Sequence, residues 1–133
     1  MSKVFAPLIF TIAVALLSSC AMLRSLTPGH DSFEKGMAYF NQGQFDSAIH
    51  YFTQSSLENP NSAQAYLYLG RSYVSVGRWK SAIPPLRTAF RLSPNEAKGE
   101  IMNLIVDAVF AAATYYPGLG EYGLLRELYK DLL

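Results

Sequence analysis

The sequence predicts an all-α protein, a short α-solenoid of helix-turn-helix hairpins, and three observations carry that prediction. The first is a period. Gly36, Tyr39, Gly43, Phe45, Ala48, Phe52 and Pro60 recur as Gly70, Tyr73, Gly77, Trp79, Ala82, Leu86 and Pro94, so residues 30–62 and 63–96 are one pattern written twice, 34 residues apart. Self-similarity at roughly 20 to 50 residues is the signature of repeat architectures. The second is apolar spacing of helical rather than strand type within each copy, interrupted by glycine and proline. The third is size: 133 residues, half of them hydrophobic, suffice for one domain and no more.

In chain order, residues 1–19 read as a targeting segment. Lys3 supplies a basic start, residues 4–17 an apolar run, and Leu17-Ser18-Ser19-Cys20 a small-residue end, which is the layout of a secretory signal. The same four residues resemble a bacterial lipobox. That resemblance implies lipidation of the Cys20 sulfur, cleavage before it, and a lipidated tether over residues 20–29. Ala21 follows in place of Asp, which by the same resemblance favours the outer membrane, with the domain facing the periplasm. Two other readings stay open. Residues 4–23, flanked by Lys3 and Arg24, are long enough to span a bilayer uncleaved, although Pro7, Thr11, Ser18 and Ser19 weaken such a span; alternatively, the signal is an ordinary one and its cysteine incidental. Because Cys20 is the single cysteine of the chain, a disulfide within the monomer is impossible.

The four regular helices are expected at about 31–42, 46–58, 62–76 and 80–92. Gly36 and Gly70, lacking a Cβ, would let a neighbouring helix come close. Gly43 and Gly77 follow the first helix of each unit, where a left-handed residue ends it cheaply. Ala48 and Ala82 keep the second helix near the first, while Tyr39, Phe45, Phe52, Tyr73 and Trp79 fill the space between. Asp46 is expected to cap the second helix. Pro60 and Pro94 cannot extend the helices before them. Pro84 and Pro85 fall near the start of the fourth helix, where some missing amides would have had no partner anyway. These positions match the tetratricopeptide repeat, which the chain resembles, and the run Ala65-Tyr66-Leu67-Tyr68-Leu69-Gly70-Arg71-Ser72-Tyr73 fits its first-helix pattern.

Beyond residue 95 the pattern degrades. Ile101, Met102, Leu104, Ile105, Val106, Val109 and Phe110 make a fifth helix that is apolar on nearly every side and must be covered. After the breaker run 116–120, Leu124, Leu125, Leu128, Tyr129 and Leu132 form a stripe expected to be a sixth helix covering the fifth. The domain is thus expected over 30–133: repeats at about 29–62 and 63–96, and a degenerate pair, 97–133, of the capping kind that solenoid ends often use.

Catalysis has little support. His30 and His50 are the only histidines, no cluster has metal-ligand spacing, and no glycine-rich phosphate loop occurs. No enzyme activity, metal or cofactor is expected, and His50 reads as a solvated surface residue. Removing residues 1–19 takes Lys3 from the eleven basic side chains and leaves them balanced against ten acidic ones, so nothing steers the domain toward nucleic acid.

The resemblance implies that the first helix of each unit lines a concave groove. Those positions here are Phe33, Met37, Phe40 and Asn41, then Leu67, Arg71, Val74 and Ser75, then Ile101, Ile105 and Ala108. Family members that clamp a chaperone's terminal carboxylate use Lys and Asn at such places; Phe33 and Met37 exclude that specificity. An apolar groove with the one cation Arg71 suits an amphipathic helix or an apolar peptide of an envelope protein. The alternative is that Phe33, Met37, Phe40 and Leu67 are simply core, or are covered by the sixth helix. Lys80, Arg87 and Arg91 share one outer face of the fourth helix, within a stretch free of acidic residues from 59 to 95. That stripe is either a solvated face or a contact for anionic head groups or an acidic partner. Two roles remain: a lipid-anchored scaffold or assembly factor of the cell envelope, or a self-associating homodimer using the fifth and sixth helices.

Overall fold

The computed structural model describes residues 28–115 together with Gly123 and Arg126. Five helices account for most of them: α1 (His30–Asn41), α2 (Phe45–Glu58), α3 (Ala63–Ser75), α4 (Trp79–Leu92) and α5 (Asn95–Tyr115). No strand occurs among the described residues. Each helix packs on the next, and α5 also reaches back to α3. Such nearest-neighbour stacking is the organisation of a solenoid.

The repeat period is written into the turns atom by atom. Gly43 and Gly77 take φ of 73° and 72°. In the first hairpin the Gly43 amide donates to the Phe40 carbonyl and the Gln44 amide to that of Tyr39; in the second, Gly77 donates to Val74 and Arg78 to Tyr73. A left-handed residue turns the backbone so that these last carbonyls of the helix find donors. One period further on stands Ala111. Without a glycine there the chain does not turn, and α5 runs 21 residues to Tyr115.

Two local expectations are corrected. Asp46 does not cap α2: the helix begins at Phe45 and its N-cap is Gln44, without a side-chain bond. The Gln44 amide is already committed to the Tyr39 carbonyl, so the chain enters the helix earlier and leaves Asp46 in the first turn, where the helix dipole favours a carboxylate. Pro84 and Pro85 lie inside α4, past the amides that would be free at its start. The carbonyls of Lys80 and Ser81 lose their helical donors; both residues are exposed. Ser62 caps α3, its side chain accepting from the Ala65 amide at 3.2 Å, and Ser93 ends α4 in an extended conformation before Pro94.

The core consists of two clusters, each joining the second helix of a hairpin to the helix that follows it. Ala48, Ile49, Phe52 and Leu69 form the first. Ala82, Ile83, Leu86 and Ala89 of α4 close with Ile101, Ile105, Ala108, Val109 and Ala112 of α5 to form the second. The glycines expected at close approaches are there. A Cβ on Gly36 would lie 2.7 Å from the Phe52 ring, and one on Gly70 would lie 2.5 Å from Leu86. Gly29, at the end of the expected tether, is the left-handed N-cap of α1, and its carbonyl accepts from the Ser55 hydroxyl at 2.9 Å.

Ile101, Ile105 and Ala108 are corrected from groove lining to core. All three are buried against α4, because α5 turns its apolar side toward that helix. Its far side leaves Phe110 58% exposed, and near its C-terminal end Tyr115 is 72% exposed. The expected sixth helix falls outside the described residues except at Gly123 and Arg126, both helical and exposed. Cys20, the tether up to residue 27 and the apolar run 4–23 also lie outside them. Among the described residues no helix is long and apolar enough to cross a membrane.

Candidate protein-binding face

Spacing of four and three residues along α1 puts Phe33, Met37 and Phe40 on one line of that helix, and the same spacing along α3 aligns Leu67, Arg71 and Val74. Phe33, Met37 and Phe40 are half-buried, resting on the first cluster, whereas Leu67 and Val74 rest on the second. Asn41 and Ser75 are exposed at the ends of their helices. Each apolar member of the strip therefore anchors itself in the core with one side and leaves the other accessible.

Tyr68 joins the two lines. Its ring meets Phe33 edge-on at 5.8 Å and Phe40 edge-on at 5.4 Å, and stacks on the buried Phe52 at 5.6 Å. Offset and edge-to-face aromatic pairs are worth about 0.5–1.5 kcal/mol each beyond the area they bury. The second hairpin is thus keyed into the first by one aromatic side chain. Arg71, one turn further along α3, places its guanidinium 5.4 Å from the Tyr68 ring centre and forms an ion pair with Glu100 of α5. The strip therefore runs from aromatic α1, across Tyr68, to a cation neutralised from the third unit.

Neither Tyr68 nor Glu100 was assigned to the face by its sequence. Tyr68 sits beside Leu67, so its place on the helix was open to inspection; its insertion between Phe33 and Phe40 depends on how far one hairpin rotates on the next. Glu100 belongs to the degenerate unit, where the repeat pattern is lost. Lys80 and Arg91 are exposed on α4, and Arg87 is half-buried beside them. His50 is exposed, as its position on α2 implied. No group of three or more His, Cys, Asp or Glu side chains able to hold a metal occurs among the described residues.

Stacked helical hairpins with turn glycines at one period and an apolar strip on their first helices define an all-α repeat solenoid. Residues 33–97 match the family model of the tetratricopeptide repeat, and the segment from α1 to the start of α5 is similar to that family. Modules of this family are typically non-catalytic and suggest a protein–protein interaction scaffold. No curated protein matches the chain significantly.

Proposed function

We propose that this chain is a lipid-anchored scaffold or assembly factor of a bacterial cell envelope, and that the concave strip on α1 and α3 receives an apolar helix or peptide of a protein partner. The observation that carries the reading is the strip itself. Phe33, Met37, Phe40, Leu67 and Val74 are half-buried rather than buried, so they offer fixed apolar edges that a partner's side chains can fill with little loss of rotamer freedom. With Arg71 paired to Glu100, the strip carries little net charge toward that partner. The anchor rests on Leu17-Ser18-Ser19-Cys20 and Ala21, a position suited to the outer membrane facing the periplasm.

A photo-crosslinking side chain placed at Asn41, exposed beside the strip, tests the groove without disturbing the core. An adduct with one envelope protein from Asn41, absent when the same group sits at His50 on the outer face of α2, is the expected result; equal labelling from both positions would remove the groove from the proposal. For the anchor, Cys20→Ala should leave a full-mass precursor that takes up no labelled fatty acid. A second reading has its own observation: Phe110, exposed on the outer side of α5, gives a homodimer an apolar contact. In sedimentation measurements a dimer dissociated by Phe110→Asp supports self-association, and a monomer excludes it.

A further inference from the structure

The fold treats its cations unequally. In the acid-free stretch from 59 to 95 there are five basic side chains. Arg71 is paired with Glu100, and Arg78 lies 3.3 Å from Asp46 of the first unit. Lys80 and Arg91 are exposed on α4, with no carboxylate within ion-pair distance among the described residues. At 100° per residue, Lys80, Arg87 and Arg91 keep within about 20° of one line, and they extend over roughly 16 Å of the helix. Exposed Pro84 lies between them on nearly the same line, and α4 contains no Asp or Glu. The helix therefore presents exposed Lys80 and Arg91 on an outer face that holds no carboxylate of its own.

From this distribution we infer that the outer face of α4 is a docking surface for anionic phospholipid head groups of the membrane to which the chain is tethered. The inference rests on the anchored reading above. Residues 21–28 reach at most about 28 Å when extended, so an anchored domain never leaves the vicinity of its bilayer. Contact then becomes intramolecular, with an effective concentration set by the tether. Each Lys or Arg near an anionic surface multiplies the population in contact by about fivefold, a gain too small to recruit a free protein firmly through Lys80 and Arg91 but enough to orient a tethered one. Contact of the α4 face would leave the concave strip, carried on the first helices, turned away from the lipid.

Trp79 is the only tryptophan of the chain; half-buried at the start of α4 beside Lys80, it reports how near that end of the helix comes to the vesicle surface. The full chain is reconstituted into phosphatidylcholine vesicles and into vesicles containing about 30% phosphatidylglycerol, each carrying a nitroxide on a fraction of its head groups. Quenching of Trp79 should be at least about twofold greater on the anionic vesicles. It should fall to the neutral-vesicle level in 0.5 M NaCl, because such contacts are screened, and in Lys80→Gln/Arg91→Gln with unchanged circular dichroism. Lys35→Gln on α1 should leave it as it was. Equal quenching on both vesicles, or quenching indifferent to the paired substitution, overturns the inference, as does a crosslink from Arg91 to an acidic protein in place of lipid. Flotation separates the two claims. A chain that floats with both vesicle types but shows equal quenching retains its anchor and loses the docking surface; one that floats with neither loses the anchor and, with it, the docking surface that depends on tethering.

Discussion

Gly70→Ala is the sharpest test of the hairpin packing, because two effects of known sign compete there. Alanine in a helix interior is favoured over glycine by about 1 kcal/mol. Against this, a Cβ at Gly70 would sit 2.5 Å from both Cγ and Cδ2 of Leu86, where carbon atoms pack well at about 3.5–4.0 Å. Leu86 has 0% exposure and nowhere to retreat, so the overpacking cost belongs in the upper part of the usual range of about 1–3 kcal/mol. The net expectation is a loss of about 1–2 kcal/mol. Gly99 is the control: it is exposed within α5, and a Cβ there meets nothing within 4 Å, so Gly99→Ala should stabilise by about 0.5–1 kcal/mol. Urea unfolding followed by far-ultraviolet circular dichroism should show opposite signs for the two substitutions. The clash is isolated by repeating Gly70→Ala in a Leu86→Ala background, itself lowered by about 2–5 kcal/mol. There the penalty should vanish, giving a coupling of at least about 1 kcal/mol. A neutral or stabilising Gly70→Ala in the parent, or the same penalty with Leu86 truncated, would refute the close approach of α3 and α4.

Three further outcomes follow from single features of the fold and are read in the same unfolding assay. Gly77→Val should cost about 1–2 kcal/mol although an added Cβ would meet nothing within 4 Å, since a φ of 72° is disfavoured for a side chain. Ser62→Ala removes the side-chain acceptor for the Ala65 amide and should cost about 1 kcal/mol, whereas Ser62→Asp should keep most of the cap. Asp46→Ala should change stability by less than about 0.5 kcal/mol. Its partner Arg78 lies at 3.3 Å, but the two side chains are 74% and 56% exposed, and an ion pair so wet gains little.

The parts of this molecule that were legible in its sequence are those decided within a few residues. Gly43 and Gly77 announce their left-handed turns because only glycine enters that conformation freely, and the helices they end were placed to within one or two residues. Gly36 and Gly70 announced a close approach, and Phe52 and Leu86 are the side chains found there. The start of α2 was misread for an equally local reason: Asp46 is a good capping residue, but the turn hydrogen bonds had already committed the backbone at Gln44.

Contacts between units were not legible in this way. Tyr68 entering between Phe33 and Phe40, Arg71 meeting Glu100 and Arg78 meeting Asp46 join residues 28 to 35 positions apart, and each depends on the rotation of one hairpin against the next. Ile101 and Ile105 show the limit most plainly. Their repeat position marks them as groove, yet α5 turns them into the core against Leu86 and Ala89. The sequence by itself determined the hairpins, their period and their turns, since backbone sterics and helix periodicity act over a few residues. Which apolar side chains stay half-buried, and which cations meet a carboxylate, only the tertiary structure decided, because burial and ion pairing belong to surfaces that do not exist until the hairpins stack.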